Sequence, residues 1–354
     1  MLHCREIFIS RAKMSSSTTP ISRSASSTPG VDSSPSSVTS ASEFPGLSPA
    51  AIDDALLRTL LEDYKLQEVQ ENLVNIAKDA GDIMLAADPS VTSAETKANS
   101  SDLVTEIDKQ IEDMVKERLR KAYPSYIFLG EETLQQGQKL TDEPTFVCDP
   151  IDGTLNFIHG FYHYCISLAL TVAKKPVVAV IHAPALGHTY TAVKGQGAYL
   201  TRNNGTRVEL PFKRKPEPLR GLKECMGVIE WGKERDGPNW ALRTSVAKRL
   251  MTSEKEGGMM CHSTRTNGSC ALSFCAVATG AMDFLWESGC LIWDVCAGWL
   301  IVEESGGIIA GANSGEWEPT LEGRSYFSVR AAPSGQKEII GQVWSLMEGQ
   351  KFTY

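Results

Sequence analysis

Six consecutive residues, Asp149-Pro150-Ile151-Asp152-Gly153-Thr154, combine the groups that hold a hard divalent cation. Two carboxylates stand three positions apart, with a hydroxyl and free backbone carbonyls beside them. Pro150 fixes its own φ and Gly153 permits an unusual backbone angle, so a tight turn here can be held in one shape. Oxygen ligands in near-octahedral array suit Mg²⁺, which leaves part of its shell to substrate phosphate. The same letters also spell ordinary turn chemistry, because Asp-Pro and Asp-Gly pairs are frequent in turns. Taken alone, the segment leaves both readings open.

The elements that would position it can be read outward. Apolar Phe146-Val147-Cys148 reads as the end of a strand that stops before Asp149. A short strand at residues 126–129 ends in Gly130-Glu131-Glu132, and paired acids after a strand usually mark a solvated loop. A helix starting near Thr105 turns Ile107, Ile111, Met114, Val115 and Leu119 inward, with Asp108 at capping-box spacing from Thr105. Before it, Leu73, Ile76, Ala77, Ala80, Ile83 and Met84 form one apolar stripe, and Ile52, Leu56, Leu60 and Tyr64 form another after the Ser48-Pro49 start signal. A loop carrying Lys97 and then Asp102 connects the helices.

Downstream, strands are expected at residues 165–172, 177–181 and 189–193. Gly195-Gln196-Gly197 lacks the third glycine and the following helix of a nucleotide-binding loop, so it is discounted. Asn203-Asn204-Gly205 reads as a hairpin turn. The polar, Pro-rich run 211–218 is the expected domain boundary. Beyond it, strands at 225–229, 259–262, 282–286, 308–309 and 327–331 alternate with helices at 240–251, 267–279, 292–304 and 338–347. Alternation of this kind indicates an α/β unit. Asp294 opens the penultimate helix, where an acid is the standard capping choice.

Composition narrows the class. In 354 residues, 42% hydrophobic and 22% charged content describe a globular chain long enough for two domains. A net charge of −8 argues against nucleic acid and anionic membrane as partners. Nine Cys with no CxxC pair argue against a disulfide framework and for a reducing compartment, here the cytoplasm. His159 and His163 are interrupted by Gly160, a poor zinc pair. Residues 1–47 are Ser/Thr/Pro-rich and are expected to form a disordered tail.

Four motifs occur in order: Asp102-Leu103-Val104-Thr105-x-x-Asp108, Gly130-Glu131-Glu132, Asp149 to Thr154 followed by x-Asn156-Phe157, and Trp293-Asp294-x-Cys296-Ala297-Gly298. The chain from about residue 50 onward resembles the inositol monophosphatase family, within the metal-dependent, lithium-sensitive phosphatases. The resemblance implies a layered αβαβα sandwich, with an N-terminal α+β part over 48–215 and a C-terminal α/β part over 216–354. It implies two or three Mg²⁺ ions held by Glu131, Asp149, the Ile151 carbonyl, Asp152 and Asp294. Thr154 and Glu131 would orient and deprotonate the attacking water, and Asp108 would hold the Thr154 hydroxyl. Asp152, Gly153, Thr154 and Glu287 would face the substrate, with Lys97 and Glu132 in support. The implied substrate is a small phosphorylated polyol, an inositol monophosphate, and the implied assembly is a homodimer.

Two positions depart from the family pattern. Lys233 stands where a small hydroxyl residue is usual, and Cys270 replaces a small Ala. Both border the implied substrate site. Two alternatives therefore stay open: a 3′(2′),5′-bisphosphate nucleotidase or related small-ester phosphatase, and a phosphatase-like regulatory protein of quinate utilisation.

Overall fold

The computed structural model describes residues 64–88, 95–96, 103–134 and 138–354. The Ser/Thr/Pro-rich tail, the stripe through Ile52, Leu56 and Leu60, and both Lys97 and Asp102 lie outside these residues.

Two helices open the described chain. α1 (Leu66–Ala86) buries Leu66, Val69, Leu73, Ile76, Ala77, Ala80 and Met84, the i, i+3, i+4 face expected of an amphipathic helix. Each such large side chain removed from water contributes about 1.5–3 kcal/mol. A two-stranded ladder, β1 (Glu95–Thr96) with β2 (Leu103–Val104), leads into α2 (Glu106–Ala122). Thr105 caps α2 in a complete capping box with Asp108.

A seven-stranded sheet follows in the order β3 (Ile127–Gly130), β4 (Thr145–Asp152), β5 (Cys165–Val172), β6 (Lys175–Ala183), β7 (His188–Val193), β8 (Ala198–Arg202) and β9 (Arg207–Glu209). Only the β3–β4 pair is parallel; the remaining neighbours are antiparallel. The short helix α3 (Thr154–Ile158) sits between β4 and β5.

A five-stranded sheet has the order β11 (Ser263–Arg265), β10 (Met226–Ile229), β12 (Phe284–Ser288), β14 (Ser325–Val329) and β13 (Ile308–Gly311). Its helices are α4 (Gly237–Met251), α5 (Cys270–Thr279), α6 (Ile292–Glu304) and α7 (Gln336–Leu346).

Three cores separate five layers. One lies between α1, α2 and the first sheet. The second joins the inner face of that sheet to α5 and α6 and on to Val228 and Leu285 of the second sheet. The third lies between the second sheet and α4 with α7. The order is the expected αβαβα sandwich. α6 is apolar around most of its circumference because both sheets cover it: ten residues from Ile292 to Val302 are buried.

Three local expectations need correction. β4 does not stop before Asp149 but runs through Asp152, because a one-residue bulge against β5 admits Pro150 into the strand. Residues 259–262 are not a strand; Met260 takes a positive φ of 52°, and the strand begins at Ser263. α5 begins at Cys270 rather than at 267, since Gly268 is left-handed and Ser269 caps the helix by accepting from the Leu272 amide.

Candidate active site

The β4 bulge decides how the central acids meet. Asp149 is opposite Ser167 on β5 and Asp152 is opposite Cys165, so three steps on one strand match two on the other. In a regular strand, residues three apart face opposite sides. The extra residue brings both carboxylates to one side. Gly153 then turns the chain at φ 91°, and a Cβ there would stand 3.0 Å from the His163 carbonyl and 3.1 Å from that of Gly268. The expected need for glycine is thus both conformational and steric.

Asp152 is held by the far half of the chain. Its Oδ2 accepts from the Ala271 amide at 2.8 Å and from the Ser269 hydroxyl, and its Oδ1 accepts from the Cys270 amide at 3.2 Å. A carboxylate at the start of α5 meets unpaired N–H groups and the positive end of the helix dipole. The loop that supplies them is fixed by Glu230. That buried carboxylate accepts from the Asn267 and Gly268 amides, both at 2.9 Å, and from the Ser273 hydroxyl at 2.9 Å.

Asp294 enters from α6, where its Oδ2 accepts from the Leu291 amide at 2.6 Å. It is the third residue of the helix, so it caps by reaching back. Carboxylate oxygens of Asp149, Asp152 and Asp294 all lie within 4.8 Å of one another. Burial and then the Glu131, Asp152 and Asp294 charges push the Asp149 carboxyl well above the usual carboxylate range. Burial, followed by the Asp152 charge, lifts Asp294 to about 7. Burial also raises Asp152, opposed by the hydrogen bonds from Ser269, Ala271 and Cys270. Asp149 Oδ1 is buried without a hydrogen-bond partner. Three converging carboxylates, one with a buried oxygen left unpartnered, fit a hard divalent cation, which would compensate their repulsion.

The hydroxyl of Thr154 lies beside this group. Its Oγ1 is 3.3 Å from Asp108 Oδ1 and 2.9 Å from the Ile151 carbonyl oxygen. Asp108 gives its other oxygen to the capping box, accepting from the Thr105 amide at 2.8 Å and the Thr105 hydroxyl at 2.5 Å. One carboxylate thus closes the capping box and also reaches the Thr154 hydroxyl. Glu131 is outside the close trio, yet among neighbouring charges it acts most strongly on Asp149. Its segment is anchored twice: the Glu131 amide donates to the Cys148 carbonyl at 3.2 Å, and the Glu132 amide to Glu112 Oε2 at 2.8 Å. A Cβ on Gly130 would come within 2.4 Å of the Glu112 carboxyl carbon, so glycine is required for that approach.

The remaining expected residues separate. Glu287, on β12, groups with Cys270 and Cys290 rather than with the three aspartates. Lys233 is exposed, on the loop between β10 and α4, outside the buried acids. Glu112, Glu230 and Ser269 were not singled out from sequence. Only Ser269 carried a local signal, as a Gly-Ser start to a helix. The Gly195 and Gly197 amides donate to the Glu304 carboxylate at 2.9 and 3.0 Å.

A sequence model of the inositol monophosphatase family matches residues 65–348. The chain is 40% identical over 293 residues to inositol monophosphatase 2 of Saccharomyces cerevisiae, covering 80% of this chain and 97% of the yeast protein. It is 35% identical over 331 residues to the quinic acid degradation cluster protein x of Neurospora crassa, covering 82% of this chain and 96% of that one. The solved structure of the Thermotoga maritima IMPase aligns with a TM-score of 0.65 at 27% identity, covering 79% of this chain and 98% of the other. The chain belongs to the inositol monophosphatase family of phosphoric monoester hydrolases.

Proposed function

We propose that this protein hydrolyses inositol monophosphates to inositol and phosphate with Mg²⁺ as cofactor. The observation that carries the reading is the meeting of Asp149, Asp152 and Asp294, one of which, Asp149, also has a buried oxygen without a hydrogen-bond partner. Similarity to the yeast inositol monophosphatase across 97% of its length supports the choice of ester.

Asp149, Asp152, Asp294, the Ile151 carbonyl and Glu131 would hold two Mg²⁺ ions, with Glu131 reaching a third through water. When bound, Mg²⁺ lowers the pKa of water, neutralises phosphoryl oxygens and stabilises the leaving oxygen. The other roles belong to the chain. Thr154 has one hydroxyl proton and two acceptors within reach, Asp108 and the Ile151 carbonyl. Asp108 holds that proton in this reading, since the Ile151 carbonyl would serve as a metal ligand. The Thr154 oxygen is then free to accept from the attacking water, whose proton Glu131 takes. Gly153 and Thr154 amides face the phosphate, while Glu287 accepts from a substrate hydroxyl. Cys270 and Lys233 border the substrate and Glu132 supports the acids, while the supporting part that the resemblance gives Lys97 falls outside the described residues. The working form in this reading is a cytoplasmic, lithium-sensitive homodimer, with residues 48–215 and 216–354 as its two parts. Among the described residues no helix is long and apolar enough to cross a membrane.

The test is phosphate release at fixed Mg²⁺, with and without EDTA, from myo-inositol 1-phosphate, 3′-phosphoadenosine 5′-phosphate, fructose 1,6-bisphosphate and histidinol phosphate. EDTA-sensitive preference for the inositol ester supports the proposal. Preference for a bisphosphate replaces it with the nucleotidase or sugar-bisphosphatase reading and makes Lys233 the specificity element. The similarity to the Neurospora quinic acid degradation cluster protein keeps one further reading, a phosphatase-like regulatory protein of quinate utilisation, and release from none of the esters would select it.

A further inference from the structure

We propose that Cys270, Glu287 and Cys290 form a second metal site, selective for a thiophilic divalent cation such as Zn²⁺, beside the oxygen-only aspartate group. Three observations carry it. The two Sγ atoms and a Glu287 oxygen all lie within 4.8 Å of one another. The Sγ–Sγ separation is 3.9 Å, whereas two thiolates on a tetrahedral zinc with Zn–S of about 2.3 Å stand ~3.8 Å apart. Glu287 is 8% exposed, and its Oε2 has no hydrogen-bond partner. A buried carboxylate oxygen left open next to two thiols is a place a cation can fill.

The donor set separates this site from its neighbour. Two sulfurs and one oxygen are soft to borderline ligands that suit zinc, while Mg²⁺ takes oxygen alone. Three protein ligands leave a fourth position open. On binding, the two thiols lose their protons to solvent and the thiol–thiol hydrogen bond is replaced by two metal–sulfur bonds. The two sites share a wall, since the Cys270 amide donates to Asp152 Oδ1. An ion here would withdraw Glu287 from the substrate hydroxyl and so inhibit turnover. That consequence rests on the proposed role of Glu287; the site itself does not.

The full chain is titrated with Cd²⁺ and Zn²⁺ under a non-thiol reductant, in excess Mg²⁺ so that the aspartates are occupied. Cadmium–thiolate ultraviolet absorption, equilibrium dialysis of zinc and proton release by indicator are followed. The expected result is one equivalent bound with thiolate absorption and release of the two thiol protons. Both signals are expected to be lost in Cys290→Ser, whose folding is checked by circular dichroism. Cys270→Ala is the second variant and decides the matter should Cys290→Ser not fold. Absence of thiolate absorption at one equivalent in the parent protein would overturn the proposal. So would its persistence in the folded variants.

Discussion

Asp108 Oδ1 lies 3.3 Å from Thr154 Oγ1, while Asp108 Oδ2 closes the capping box at the start of α2. One side chain therefore ties a helix terminus to the site hydroxyl, and the two duties can be separated. Thr105→Ala removes only the cap and should cost about 1 kcal/mol in stability with turnover largely kept. Thr154→Val should leave the melting temperature near the parent value and lower kcat by about 10²-fold or more. Asp108→Ala should show both losses. Paired denaturation and kinetic measurements on the three variants check this. A Thr105→Ala variant as inactive as Thr154→Val would contradict the division.

Asp149 has a buried, unpartnered oxygen among like charges. Asp149→Asn removes a charge that the empty site repels, so the metal-free protein should be at least as stable as its parent. Turnover should fall by about 10³-fold or more, since cation stabilisation of the reaction amounts to several kcal/mol. Melting in EDTA alongside steady-state kinetics in Mg²⁺ reads both. A less stable metal-free variant would mean that the carboxylate is held by contacts rather than opposed by them.

The metal-free protein should also report the trio through pH. Asp294 is raised from an ordinary 3.8 to about 7 by burial and the Asp152 charge, and Asp149 is raised as well. A carboxyl raised in the folded state contributes stability that is present at low pH and lost as pH rises through the folded value. EDTA-treated protein should therefore melt at a lower temperature at pH 8 than at pH 6. Mg²⁺ should reverse this loss, with its apparent affinity weakening as the same protons return. A pH-independent melting temperature in EDTA would show that the three acids do not oppose one another.

Glu230 fixes the loop whose amides and hydroxyl grip Asp152. Its hydrogen bonds go to Asn267, Gly268 and Ser273 rather than to a proposed ligand, so it acts by positioning. Glu230→Gln leaves one of its donors facing an amide NH₂. We expect Mg²⁺ affinity to weaken by about 10–100-fold, with kcat at saturating Mg²⁺ changed much less. Mg²⁺ titration of activity, together with Mg²⁺ binding by calorimetry, separates this from a general loss of fold.

Much of this protein was legible in the residues themselves. The capping box at Thr105 and Asp108, the helix at 292–304 that becomes α6, and the left-handed turn at Gly153 each depend on a few adjacent residues. Local sterics and hydrogen bonding decide such features, so they can be read from a line of letters. The order of strands and helices pointed to layered α/β packing for the same reason. The miss at 259–262 arose because Met260 adopts a left-handed backbone that its apolar neighbours do not announce.

What only the tertiary structure decided involves partners far apart in the chain. Asp152 is bound by Ser269 and Ala271, 117 and 119 residues away, because α5 packs between the two sheets with its first turn toward β4. Glu230, 37 residues before Asn267, is invisible as a site residue until β10 brings it under the 267–269 loop. Cys270, Glu287 and Cys290 become one cluster only when α5 and β12 are placed side by side. The identities of the acids follow from the sequence. Their mutual distances, and hence their repulsion and their fitness for a cation, follow from how two sheets close on the helices between them.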